Sequence, residues 1–300
     1  MTGEMMASLL VAVHAQCTDP SLCKASTQTL SQGALTRTFH VITPPAKATG
    51  AAAAAVIVGL HGLTQTAAWA CEAMLQPYVT ALDVIGVCPQ GEADQYASKA
   101  DEFGWNVGST WYAGWAGFDD VDFIKQAKNH ALSQYAIAGN AAYVIGFSMG
   151  GNMAYQLMCV ASSEYSGFAV AGQAGDAYME GSPDASVTWA AACNPTPAKP
   201  FWKGIGSDDY YYTPTEATTA WSYFADEIRG CAATVSAIQR AGGVDCQQRT
   251  SCALTTAPGN TELCIYQGMA HIYPSVSTAP QMYWTDVNGA GAAWQATPAA

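Results

Sequence analysis

The sequence predicts an α/β protein with a mostly parallel central sheet covered by helices on both faces. Three observations predict it. Short β-rich apolar runs alternate with helical patterns along the chain. One of those runs, Tyr143 to Phe147, leads through a Gly-flanked serine straight into an amphipathic helical pattern. Half of the 300 residues are hydrophobic, enough for a sizeable core, and no Ser/Thr/Pro-rich linker divides them.

Charge narrows the function classes. The chain carries 11 basic and 23 acidic residues, a formal net charge of −12, and no Lys/Arg block. That balance argues against a nucleic-acid or anionic-membrane partner. Apolar runs are broken by Gly, His or Thr before they reach the roughly 18 to 20 residues needed to cross a bilayer.

The N-terminal apolar stretch, Met5 to Val13, ends in Val13-His14-Ala15, whose small outer residues suit a signal-peptidase cut after Ala15. Residues 1–15 are expected to be a signal peptide and residues 16–300 one domain, although Glu4 stands where a signal peptide normally has a basic residue. Ten cysteines follow the cut, an even number that fits an oxidised, secreted protein. Cys17 with Cys23, and Cys246 with Cys252, are close enough in the chain to close small loops. With no CxxC pair, no HExxH and scattered histidines, neither a metal nor a cofactor is expected.

Strands are expected at Phe39 to Ile42, Ala55 to Leu60, Val84 to Cys88, Tyr143 to Phe147, Phe168 to Gly172, Phe201 to Ile205 and Leu263 to Tyr266. Helices are expected over Ala67 to Thr80, Gly150 to Ala161 and Thr215 to Gly230. The clearest helix starts at Asp119 and Asp120, whose charge suits a helix N-terminus, and lays Val121, Ile124, Ala127, Ala131 and Tyr135 on one face.

Gly146-Phe147-Ser148-Met149-Gly150 has the strand-turn-helix context that a G-x-S-x-G nucleophile turn needs, because small residues two before and two after the serine let neighbouring chain pass. A phosphate loop is the competing reading, but Ser148 occupies the second Gly position of G-x-G-x-x-G and no GK[ST] follows. Ser148 would lie at the carboxyl edge of the sheet, where open α/β sheets form clefts. A serine hydroxyl needs a base, and the only histidine after Ser148 is His271, just past the strand ending at Tyr266. His14 goes with the signal, His40 lies in an early strand and His130 on the polar side of a helix. Of eleven carboxylates between Ser148 and His271, Asp208 and Asp209 end a strand that runs into a turn; Asp176 is a weaker rival. Leu60-His61-Gly62-Leu63-Thr64-Gln65 follows an early strand, where backbone N–H groups can face the oxyanion of a tetrahedral intermediate, with Met149 N–H as the second donor. His61 reads as a residue shaping that loop.

Taken in order, LHGLTQTAAWA, GVCPQG, GWNVG, FDDVDFI, VIGFSMGGNMAYQLMC, GIGSDD and QGMAHIYP resemble the polyhydroxybutyrate-depolymerase and feruloyl-esterase group of α/β-hydrolases, from about Phe39 to Pro274. The resemblance implies an α/β-hydrolase fold with Ser148 as nucleophile and His271 as base. Laying its HGTAD pattern onto Ile205 to Asp209 favours Asp209 over Asp208 as the acid. It implies Leu63 and Met149 as the oxyanion-hole residues. Relatives commonly carry Cys where Leu63 stands and Trp where Tyr273 stands, so a local disulfide and the acyl pocket are expected to differ. Trp105 and Trp111, in a Gly-rich stretch, and Tyr211, after the acid, are expected to line the substrate cleft. The expected function is a secreted serine carboxylesterase acting on a polymer-linked ester: a hydroxycinnamoyl or acetyl ester of plant polysaccharide, or a polyhydroxyalkanoate. The alternatives are a serine peptidase and a catalytically silent polysaccharide-binding protein.

Overall fold

The computed structural model describes residues 23–45, 52–93, 102–107, 117–173, 193, 199–228, 230–231, 234–240, 243–249, 252 and 261–274. Six parallel strands form the centre of a ten-stranded sheet: β3 (Val56–Leu60), β4 (Ile85–Pro89), β7 (Ala142–Phe147), β8 (Gly167–Ala171), β9 (Phe201–Gly206) and β12 (Thr261–Tyr266). Antiparallel strands extend it on both sides. Beyond β4 lie β2 (Leu35–Thr43) and β1 (Lys24–Gln32); beyond β12 lie β11 (Val244–Arg249) and β10 (Val235–Arg240). The full order is β1-β2-β4-β3-β7-β8-β9-β12-β11-β10. A separate two-stranded piece pairs β5 (Glu92–Ala93) with β6 (Phe103–Gly104).

All seven predicted strands are present within a few residues of their expected bounds. Each central strand is an unbroken apolar run because both faces are covered, and successive residues feed different cores. In β3, Val56, Val58 and Leu60 pack into one core and Ile57 into the other; in β7, Val144 faces the first and Tyr143, Ile145 and Phe147 the second.

Helices α3 (Asp120–Gln134) and α4 (Met149–Ala161) and α5 (Pro214–Tyr223) contribute to the first core. The second is closed by α1 (Ala67–Trp69), a wider-wound segment over Ala70–Leu75 and α2 (Gln76–Leu82), which follow one another without a break. α3 starts as expected: Asp119 caps it by accepting from Asp122 N–H, and Asp120 and Asp122 sit in the first turn. α5 opens with a capping box between Thr213 and Glu216 and ends at Tyr223, short of the expected Gly230; wider turns continue over Phe224–Ile228.

Four disulfides lie among the described residues: Cys71–Cys88, Cys159–Cys193, Cys231–Cys252 and Cys246–Cys264. The expected Cys246–Cys252 loop is therefore not formed. β11 and β12 pair so that Cys246 stands directly opposite Cys264, and cross-strand register outweighs closeness in sequence. Cys17, the expected partner of Cys23, lies outside the described residues, as do residues 1–15. No helix among the described residues is long and apolar enough to cross a membrane.

Candidate active site

Ser148 sits between β7 and α4 with φ 52° and ψ −120°, a left-handed conformation that L residues rarely adopt. The turn is held by Ser148 N–H donating to Ala171 O at 2.9 Å and by Gly151 N–H donating to Ser148 O at 2.8 Å. The flanking glycines are sterically required. A Cβ on Gly146 would run into the Gly150 carbonyl, and one on Gly150 into the Leu60 carbonyl.

Two further loops meet the serine. The turn after β9 carries Asp209 and the turn after β12 carries His271, and they are laced together: Ser207 N–H donates to Tyr266 O, Asp208 N–H to Met269 O and Gly268 N–H to Ser207 Oγ. This brings Ser148 Oγ to 2.9 Å from His271 Nε2, and His271 Nδ1 to 2.8 Å from Asp209 Oδ2. With Nδ1–H donating to the carboxylate, Nε2 is left to accept from the serine hydroxyl. The other carboxylate oxygen, Oδ1, accepts the N–H groups of Tyr211 and Tyr212 at 2.9 and 3.0 Å. Burial pushes the Asp209 pKa up, but the hydrogen bonds from His271, Tyr212 and Tyr211 outweigh it and hold the group below its usual range. Asp208 is exposed and accepts from Ser207 Oγ, turned away from the imidazole.

The Gly62–Gln65 turn stands beside Ser148. Gly62 N–H donates to Gln65 Oε1 at 2.8 Å, Thr64 N–H to Phe103 O at 2.9 Å and Gln65 N–H to Gly62 O at 3.2 Å. Leu63 N–H, by contrast, has no acceptor among the described residues, and neither has Met149 N–H at the start of α4. His61 is fully buried behind the turn. Its Nε2 accepts Gly91 N–H at 3.0 Å, so Nδ1 carries the proton and donates to Gly62 O at 2.8 Å. Burial lowers its pKa to about 4 despite the Gly62 hydrogen bond, so this imidazole stays neutral and serves the loop.

The aromatic expectations divide. Tyr211 is 65% exposed with its ring centroid 4.7 Å from that of His271, and Tyr210, 72% exposed, lies at 5.9 Å. Trp105 does not line a cleft: it is fully buried against His61, and its indole N–H donates to His61 O at 2.8 Å. An aromatic residue in a Gly-rich stretch gives no sequence sign of which way it faces. Trp111 and Asp176 lie outside the described residues. Sequence reasoning assigned no role to Phe147, whose ring lies 5.1 Å from His271, nor to Gln65. The spacing of Gln65, three residues after Gly62 in a turn, was the available signal. Among the described residues, one group has metal-binding spacing, Cys246, Glu262 and Cys264, and the disulfide between its two sulfurs leaves no thiolate to ligate.

No protein-family model matches the chain, and no curated protein matches it in sequence. Solved structures do resemble it. An acetyl xylan esterase from Aspergillus awamori aligns at 12% identity over 82% of this chain and 94% of that one, with a TM-score of 0.55. A feruloyl esterase module from Clostridium thermocellum complexed with sinapinate aligns at 11% over 84% and 83%, with a TM-score of 0.53. An S-formylglutathione hydrolase from Agrobacterium tumefaciens aligns at 14% over 84% and 90%, with a TM-score of 0.51. The chain has the α/β-hydrolase fold.

Proposed function

We propose that the protein is a serine carboxylesterase with Ser148 as nucleophile, His271 as general base and acid, and Asp209 as the orienting carboxylate. The observation that carries this reading is the hydrogen-bonded line from Asp209 through His271 to a serine held on a strained turn. In the reaction, Ser148 Oγ attacks the ester carbonyl carbon while His271 Nε2 takes the hydroxyl proton. The tetrahedral oxyanion accepts hydrogen bonds from Leu63 and Met149 N–H. Collapse expels the alcohol, protonated by His271. Water, deprotonated by the same nitrogen, then attacks the acyl-serine and releases the carboxylic acid.

The substrate proposed is an ester carried by a polymer, first of all a hydroxycinnamoyl or acetyl ester of plant polysaccharide, with a polyhydroxyalkanoate as the second candidate. Supporting this are the similar solved structures with esterase names and the open rim of exposed rings at Tyr210 and Tyr211. Four buried or partly buried disulfides favour an oxidising, extracellular setting. The test is a panel of methyl ferulate, acetylated xylan, short p-nitrophenyl esters and a polyhydroxybutyrate film. Hydrolysis of at least one ester that disappears in Ser148→Ala is expected. Activity that survives Ser148→Ala, or no turnover of any ester, overturns the reading.

A further inference from the structure

The Gln65 amide cannot be oriented arbitrarily. Gly62 N–H needs an acceptor, so the oxygen end of Gln65 must face it, and the 2.8 Å contact fixes Oε1 there. The Nε2 end then points the other way. It has no acceptor among the described residues, and it is not one of the buried unpartnered atoms, so it is open to solvent. Gly62 separates this amide from the nucleophile by no more than a methyl group's width: a Cβ on Gly62 would touch both Gln65 Oε1, at 2.8 Å, and Ser148 Cβ, at 3.2 Å. An uncharged N–H donor pair thus stands free beside the reaction centre, on a loop where the backbone N–H groups of Gly62, Thr64 and Gln65 are tied down and that of Leu63 is not. Thr64, at φ 65°, is bound to Phe103 O, and Gly62 O is taken by both His61 Nδ1–H and Gln65 N–H.

We propose that Gln65 works with both ends of its amide: Oε1 fixes the oxyanion loop so that Leu63 N–H faces outward, and Nε2 is a third hydrogen-bond donor to the substrate oxygen that becomes negative in the tetrahedral intermediate. This rests on the esterase reading above. Donors aimed at developing charge act mainly on the transition state, so their loss lowers kcat more than it raises KM.

Two substitutions separate the roles. Gln65→Glu keeps an oxygen for Gly62 N–H but puts a carboxylate oxygen where the donor was; Gln65→Met keeps the length and loses both functions. Steady-state kinetics on the best ester of the panel should show kcat falling about 10²-fold in both variants with KM little changed. A trifluoromethyl ketone analogue of that ester, which forms a tetrahedral adduct on Ser148, should bind more weakly by a similar factor. Thermal unfolding close to that of the parent protein checks that the fold is intact. If Gln65→Glu keeps the parent kcat, the donor role is overturned. If both variants keep it, or if only KM changes, the whole inference falls. A parent protein that cleaves no ester, or whose activity survives Ser148→Ala, instead overturns the esterase reading itself.

Discussion

Two buried carboxylates, Asp120 and Asp209, show how the same chemical group is used in opposite ways in this molecule. Asp120 opens α3 with its side chain sealed from solvent, 2.7 Å from Arg37 Nη2 and accepting Asn106 N–H at 2.6 Å. Arg37 is equally buried, and it also reaches Gln32 Oε1 and stacks its guanidinium over Phe123 at 4.0 Å. Burial still raises the Asp120 pKa; the Arg37 charge and the hydrogen bonds offset only part of it. For Asp209 the balance reverses, and its pKa is held down. The difference lies in the partner. The Arg37 guanidinium is a permanent charge whose further partners, Gln32, Gln90 and Glu92, only tie the fold together, whereas the imidazole partnered by Asp209 passes its orientation on to Ser148 Oγ. One pair ties the fold together; the other sets the geometry at the proposed nucleophile.

The largest effect that would break this contrast is on turnover. Asp209→Asn should lower kcat by about 10⁴, the cost of the wrong imidazole tautomer in a serine-protease triad, while stability moves by only about 1–2 kcal/mol. Asp208→Asn, one residue away and facing solvent, should leave kcat near the parent value. Paired kinetics of the two variants measure this. A larger loss at Asp208 would show that the hydrogen-bonded line is not the one used in solution.

At Asp120 the losses should trade places. Asp120→Ala leaves the buried Arg37 with only Glu92 as counter-charge and strips Asn106 N–H of its acceptor. Removing one partner of a buried pair costs about 3–5 kcal/mol. Denaturant unfolding should show that loss, with turnover per folded molecule falling far less than in Asp209→Asn. Equal activity losses in the two variants would erase the distinction.

The same contrast explains what could be read from the sequence. Central strands were legible because burial on both faces demands unbroken apolar runs, as in Val56–Leu60 and Ala142–Phe147. The flanking β1, KASTQTLSQ, and β11, VDCQQR, were not, because these outer antiparallel strands are only partly buried and carry polar residues on their open face. Ser148 and His271 were legible from the glycine pattern and from the absence of a competing histidine. Asp209 over Asp208 depended on the resemblance, since only the turn after β9 decides which of two adjacent acids points inward. The Arg37–Asp120 pair and the Gln65 contact join residues by tertiary folding or by side-chain direction, and neither leaves a mark in hydrophobic periodicity.

A second pair, His61 and His271, extends the comparison to pH and gives the smallest effect of the set. His61 is sealed between Gly91 N–H and Gly62 O with its pKa lowered to about 4, against 6.5 when unfolded. A base whose folded pKa lies below its unfolded value contributes stability above pH 6.5, and that contribution is lost as pH falls from 6.5 through about 4. At about 1.4 kcal/mol per pKa unit the full loss is on the order of 3 kcal/mol, an upper figure for a group in this position. His61→Gln keeps an acceptor for Gly91 N–H but has no proton to gain, so its stability should fall less steeply than the parent's between pH 7 and 4. Asp120 adds a trend of the opposite sign, common to both proteins, because a raised carboxylate pKa favours the folded state as pH falls through it. Urea unfolding of the parent and the His61→Gln variant at several pH values in that window gives the difference directly. Parallel curves would mean that His61 takes up its proton in the folded protein, and that the turn beside Ser148 opens to water more readily than its hydrogen bonds indicate.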